Sequence, residues 1–463
     1  YCSEHDWLLN TVLREEWGFD GLVMTDWGAA NDRVLGVKSG LDLEMPNSGG
    51  ITDKLVAAAV GAGELDEGAL DRVVIRNVAL SLSAKDRQTP SIAADPVSQH
   101  KLARETAAQC CVLLKNDEQI LPLSATQPLA LIGAFAEKPR FQGAGSSQVR
   151  PTQVDTLVAA LAEYTEAVTY ATGYDPIHSE PDQGLIDEAV RAASAAEVAV
   201  VFAGLPGIYE SEGFDREHMC LPPQHDALIR AVAAANPRTV VVLANGAPVE
   251  MPWVDEVGAI LEGYLGGQAA GGAIADVLMG VRNPSGKLAE TFAEQLSDIP
   301  SQPWFPGEHR QMQYREGLYV GYRYFDTARR SVLFPFGHGL SYSHFDLPRV
   351  ILSNDTLTAQ RSVKLTVEVK NTGSMAGAEV VQVYRHCKNS LVHRPDQELC
   401  GFAKLHLEAG AGGSVEIQLL PDSFQIFDHG TQNWILESGP VELRIGVSSR
   451  DIRLTKMLNI ASV

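Results

Sequence analysis

The stretch Val198-Ala199-Val200-Val201-Phe202-Ala203, closed by Gly204-Leu205-Pro206-Gly207, decides the fold. Six apolar residues, half of them β-branched, with no polar alternation read as a strand covered on both faces, the condition of a parallel sheet clothed in helices. Working outward, helical spacing is expected near 184–196 before it and near 223–235 after it. The same alternation continues on both sides. Strands are expected at Val112–Leu114, Leu129–Ile132, Val168–Tyr170, Thr239–Leu243 and Ala259–Leu261. Further helices are expected near 98–109, 154–163 and 267–279. Residues 88–300 therefore read as a doubly wound α/β sandwich domain, entered through a polar linker around 88–100 that contains Pro90 and Pro96.

The pattern changes at each end. Residues 301–350 are rich in Pro, Gly and aromatic residues and read as a connecting segment. From 351 to 463, Val363, Leu365, Val367 and Val369 alternate with polar residues, as do Val415, Ile417 and Leu419, and Val441, Leu443 and Ile445. That period of two, broken by turns such as Asn371-Thr372-Gly373, predicts a β-sandwich. Residues 1–87 read α-β-α-β-α-α. Ser3 and Asp6 resemble a capping box for the first helix. Leu22–Thr25 and Gly40–Pro46 are its short strands. Two such units cannot close a core of their own, so these strands are expected to join another sheet or to be the C-terminal part of a (β/α)8 barrel.

The chain has 463 residues and a formal net charge of −21. Such a surface repels phosphate backbones and argues against nucleic acid as a partner; neutral substrates fit better. No run approaches the ~18 apolar residues of a membrane span. Six scattered cysteines make no disulfide framework; Cys110 and Cys111 lie in an apolar, strand-like run. Reduced thiols point to a cytoplasmic, reducing setting. No metal-ligand spacing occurs, and no metal or cofactor is expected. The chain opens Tyr1-Cys2-Ser3 with no leader pattern, almost inside a helix, which suggests a cut rather than a natural beginning.

Two places could carry chemistry. In Gly21-Leu22-Val23-Met24-Thr25-Asp26-Trp27-Gly28, Asp26 ends an apolar strand, where barrels place catalytic groups. Trp27 offers a flat face to a sugar ring. The alternative is that Asp26 caps the following helix. In Glu210-Ser211-Glu212-Gly213-Phe214-Asp215-Arg216-Glu217, four carboxylates crowd a loop after a strand, where open α/β sheets bind ligands. Like charges should raise one another's pKa, with Arg216 tying up Asp215 or Glu217. The alternative is a solvated acidic loop. Paired carboxylates suit glycoside hydrolysis, and retention of configuration needs them ~5–5.5 Å apart. Asp26 and Glu212 are far apart in sequence, so such a site would lie between domains. Gln142–Gln148 holds Gly143-Ala144-Gly145-Ser146-Ser147 but lacks the Lys of a phosphate loop, and reads as a mobile loop near the interface. No Gly-x-Ser-x-Gly occurs.

Seven motifs in order resemble glycoside hydrolase family 3, in its form with a barrel, an α/β sandwich and a fibronectin type III-like domain. They are Leu13–Gly28, Gly40–Pro46, Gly143–Ser147, Glu210–Arg216, Asn283–Leu288 with Thr291-Phe292, Val320–Tyr324 with Phe334–Tyr342, and Arg394-Pro395 with Gly401-Phe402. The resemblance implies Asp26 as nucleophile, Glu212 as acid/base with Glu210 as runner-up, and Trp27 lining the sugar site. Asp215 and Arg216 would shape the loop, and His338 and Tyr342 would be packing. It implies that the family's barrel begins well before Tyr1, so the chain alone is expected to be inactive. The intact protein is expected to be a retaining exo-β-glycosidase, foremost a β-glucosidase releasing glucose from neutral β-linked glycosides. A β-xylosidase or another β-glycosidase of the family is the near alternative. A non-catalytic carbohydrate-binding or scaffold fragment is the distant one. Self-association into a homo-oligomer is left open.

Overall fold

The computed structural model describes residues 1–87, 94–309 and 311–461. These fall into two units, Tyr1–Ala94 and Asp95–Val463. Residues 88–93 of the expected linker, including Pro90, lie outside the described residues. Pro96 instead opens a helix, capped by the Asp95 carboxylate, which accepts from Val97 N.

The first unit holds a π-helix, Trp7–Glu16, and helices α1 (Arg33–Ser39), α2 (Ile51–Gly61) and α3 (Glu67–Asp86). The expected capping box does not form: Ser3 Oγ donates to the Ala29 carbonyl, and Asp6 makes no side-chain cap. The two short strands are present as a single parallel bridge, Met24 to Leu43. One buried carboxylate organises them. Asp42 is 1% exposed and accepts from Arg14 (2.9 Å), Arg76 (2.7 Å) and the Val23 N–H (2.8 Å). Buried charge is tolerated only when paired and hydrogen-bonded, and Asp42 meets both conditions.

The second unit contains the α/β domain. Its elements are α4 (Pro96–Cys110), β1 (Val112–Asn116), β2 (Leu129–Ile132), α5 (Leu157–Ala162), β3 (Val168–Ala171), α6 (Gln183–Ala195) and β4 (Val198–Gly204). Then come α7 (Pro223–Ala235), β5 (Thr239–Ala244), β6 (Ala259–Glu262) and α8 (Ala270–Leu278). Every residue of β4 and β5 is buried, as their unbroken apolar pattern requires. The sheet order is β1-β6-β5-β4-β2-β3. All neighbours are parallel except β1, an antiparallel edge strand on β6. Cys110 and Cys111 are not in a strand: Cys110 ends α4, and buried Cys111 turns the chain into β1.

After α9 (Tyr322–Thr327), β7 (Phe345–Leu352), β8 (Thr356–Leu357), β9 (Val363–Asn371), β10 (Gly377–His386), β11 (Glu398–Leu407) and β12 (Gly412–Leu419) begin the β-sandwich. The hairpin β13 (Gln425–Asp428) and β14 (Asn433–Leu436), then β15 (Gly439–Gly446) and β16 (Ile452–Ile460), complete it. Sheets β11-β10-β15-β16-β8 and β12-β9-β7 face each other across the alternating apolar residues, with Val363, Leu365, Val367 and Val369 all buried. Asn371, expected only as a turn residue, is fully buried. Its amide donates to the Leu407 carbonyl and its oxygen accepts from Gly373 N.

Candidate functional site

The topology of the α/β sheet singles out one crevice. From β2 the chain moves outward to β3; from β4 it moves the opposite way, to β5 and β6. The strand order therefore reverses between β2 and β4, and open α/β sheets bind ligands at such a reversal, beyond the carboxyl ends of the strands. The segment after β2 carries Gly143–Ser147, and the segment after β4 carries Glu210–Arg216.

These two segments meet. The Glu212 carboxylate accepts from Ser146 N at 2.7 Å and from Ser146 Oγ, and Glu212 N donates to the Ala144 carbonyl at 3.4 Å. Gly145 is required for this approach: at φ +83° a Cβ there would lie 2.7 Å from Glu212 Cβ. The Gly-rich stretch expected to be a mobile loop is thus the seat of Glu212. The expected rise in carboxylate pKa from crowding is not what happens at Glu212. The Ser146 hydroxyl, then the Ser146 N–H, hold the exposed carboxyl below the usual carboxylate range.

The other carboxylates of the loop separate by role. Glu210 is half-buried, with both oxygens on Gly246 N at 2.9 and 3.1 Å. Arg140 clamps the loop's two ends, donating to the Leu205 and Glu210 carbonyls at 3.1 and 3.0 Å. Arg216 forms no ion pair with Asp215 or Glu217 among the described residues; its guanidinium donates to the Pro248 carbonyl at 3.2 Å. With Glu210 engaged, Glu212 is the one of the two that is exposed.

Beneath the loop lies a group the sequence did not flag. Glu262, at the end of β6, is fully buried and accepts from Asn245 Nδ2 (2.9 Å) and Tyr264 N (2.8 Å). Those donors favour the anion, but burial outweighs them and pushes its pKa up to about 8. It is therefore a neutral acid at pH 7. Its signal in sequence is only an acidic residue closing an apolar strand.

In the first unit, Thr25 fastens the segment that carries Asp26: its hydroxyl accepts from Met45 N at 2.8 Å and lies 3.2 Å from the Met45 carbonyl. The chain then turns, with Gly28 N on the Met45 carbonyl. Asp26 is exposed and its Oδ1 accepts from Trp27 N at 2.7 Å. It caps no helix; Asp32 caps α1 by accepting from Leu35 N. Trp27 is 61% exposed. His338 and Tyr342 are packed away: His338 stacks on Phe334 and bonds the Leu114 carbonyl, and Tyr342 donates to the Val277 carbonyl. No cluster of metal-ligating side chains occurs among the described residues.

A doubly wound α/β domain with a carboxylate at its strand-order reversal, followed by a β-sandwich, is the arrangement of a multidomain glycoside hydrolase. Residues 111–342 match the glycosyl hydrolase family 3 C-terminal domain, and residues 379–449 match a fibronectin type III-like domain. The chain belongs to glycoside hydrolase family 3. It is 48% identical to the thermostable β-glucosidase B of Acetivibrio thermocellus, covering 100% of this chain and 62% of that protein. It is 40% identical to an exo-α-(1→6)-L-arabinopyranosidase of Bifidobacterium longum, covering 98% of this chain and 60% of that protein. A crystal structure of a family 3 β-glucosidase from Bifidobacterium adolescentis superposes with a TM-score of 0.93 at 40% identity, covering 99% of this chain and 67% of that one. The chain thus spans about 60% of the length of the curated relatives it matches.

Proposed function

We propose that a protein containing this chain, at the full length of these relatives, is a retaining exo-β-glucosidase. In the first step the Asp26 carboxylate attacks the anomeric carbon while the Glu212 carboxyl gives its proton to the departing glycosidic oxygen. In the second, Glu212 takes a proton from water as that water's oxygen displaces Asp26, freeing the sugar with retained configuration. Trp27 would present its exposed face to the sugar ring. The substrate would be a neutral β-linked glycoside, and no cofactor enters the chemistry.

The observation that carries this reading is Glu212: an exposed carboxylate on a built seat, at the strand-order reversal of a family 3 α/β domain. The likeness to a β-glucosidase along the whole of this chain, though over 62% of that protein, supports the glucose specificity. In the full-length protein, Asp26→Gly should abolish cleavage of an aryl β-glucoside. Glu212→Ala should lose turnover that azide restores with an activated glucoside. Undiminished cleavage by Asp26→Gly overturns the nucleophile assignment.

The 48% identity to a β-glucosidase against 40% to an arabinopyranosidase favours glucose over that other glycone. A panel of nitrophenyl glycosides separates the two.

A further inference from the structure

The Pro- and aromatic-rich segment 301–328 is not used by the chemistry above, yet it builds a pocket. A cavity of about 380 Å³ is lined by Pro300, Trp304, Arg315, Tyr319 and Tyr324, with Glu316 at its edge. Its floor is firm: Tyr324 belongs to α9, whose neighbouring Phe325 is buried in a small cluster with Met219 and Ala293. Its wall is firm too. The Arg315 guanidinium stacks 3.8 Å from the Trp304 ring centroid, and its Nε donates to Gln313 Oε1 at 2.6 Å. That stack orients the indole while leaving it 39% exposed.

The polar tips of these rings are unspent. Among the described residues, the Trp304 indole N–H, the Tyr319 and Tyr324 hydroxyls and the Glu316 carboxylate have no intramolecular hydrogen-bond partner. Tyr and Trp combine a large apolar body with one polar handle. Three such residues in one pocket supply flat surfaces for C–H faces and separate donors for hydroxyls. That is the chemistry of a pyranose ring, which is apolar on its faces and hydroxylated around its rim. Charge agrees: the pocket holds one cation and one carboxylate, so it favours a neutral ligand over an anionic one.

We propose that this pocket is an accessory subsite for a neutral gluco-oligosaccharide, separate from the Asp26 and Glu212 chemistry. The proposal rests on the family's glycan substrates but not on either catalytic assignment.

The test uses the protein at the full length of its relatives, carrying Asp26→Asn and Glu212→Gln so that the sugar is bound but not cleaved. Cellotetraose is titrated and followed by calorimetry and by saturation transfer from protein to sugar. Saturable binding is expected. Trp304→Ala should weaken it about tenfold or more, a loss of about 1.4 kcal/mol. Tyr319→Phe with Tyr324→Phe, which keeps the rings and removes the hydroxyls, should weaken it by a smaller factor. If Trp304→Ala misfolds, the double Phe variant decides. No binding, or binding unchanged in the variants, overturns the proposal. So does a proline decapeptide that binds here while cellotetraose does not. Survival of glucosidase activity in Asp26→Gly would overturn the mechanism and leave this result standing.

Discussion

Glu262 should make the α/β domain lose stability as the solution turns neutral. Its carboxyl is buried at the end of β6, with a pKa about 8 against an ordinary 4.5. The folded state therefore holds a proton on Glu262 through a range where the unfolded chain has released it. The sign follows directly: the stabilisation is fully present below 4.5 and disappears as pH rises through about 8. Each pH unit inside that window removes roughly 1.4 kcal/mol, up to about 5 kcal/mol across it. Glu262→Gln has the same shape and does not titrate, so it isolates the effect from other groups. Two of those are His225, which burial lowers to about 3, and Asp226, raised to about 6. The assay is amide hydrogen exchange at Val240–Leu243 and Ala259–Leu261, corrected for its intrinsic pH dependence. Protection in the native chain, relative to Glu262→Gln, should fall about tenfold per pH unit, hence about a hundredfold between pH 5.5 and 7.5. If the ratio of the two proteins is the same at both pH values, Glu262 is ionised in the fold and the burial argument fails.

Ser146→Ala removes the stronger of the two pulls on Glu212 and should raise its pKa toward the usual carboxylate range. Because the first chemical step needs the protonated acid, the alkaline limb of kcat/KM in the full-length enzyme should move to higher pH; a move downward refutes the assignment. Asp42→Asn leaves Arg14 and Arg76 with an uncharged partner beside the bridge that carries Asp26. Breaking a buried ion pair costs about 3–5 kcal/mol, so the Val23, Thr25 and Leu43 amides should exchange faster while Val200 stays protected. Gly204→Ala should prevent the α/β domain from folding, since a Cβ at φ +150° would lie 2.1 Å from the Ala244 carbonyl oxygen; soluble protein with native circular dichroism would contradict this.

What the sequence revealed and what it concealed divide along physical lines. Strands such as Val198–Ala203 were legible because burial on both faces leaves an unbroken apolar run, and the sandwich because burial on one face leaves alternation. Order within a sheet has no such trace. Nothing in the β1 stretch says it runs antiparallel to β6, and nothing in the segments after β2 and β4 says those strands are neighbours. The partners of charged groups were equally silent. Arg216 was assigned to acids one residue away in sequence, yet it bonds Pro248; Asp42 read as part of a short strand, yet it is the hub of its unit. The cap of the first helix was silent for a related reason: the Ser3 hydroxyl is oriented by the distant Ala29 carbonyl, to which it donates, and local spacing carries no trace of that contact.

The seat of Glu212 shows why the loop after β2 has a serine beside its glycines. An acid/base residue must be content in two protonation states, because it gives a proton in one step and recovers it in the next. The Ser146 N–H can only donate, so by itself it favours the carboxylate and opposes the acid. The Ser146 hydroxyl can do both, donating to the anion and, after rotating, accepting from the protonated acid. In the proposed acid/base role, one partner would fix the position of Glu212 while the other follows its proton. Gly145 lets both come close by having no side chain. Glu210, two residues away, shows the contrast. Both of its oxygens meet a backbone N–H that can only donate, which suits a carboxylate that anchors the loop and is consistent with the proposal that proton transfer falls to Glu212.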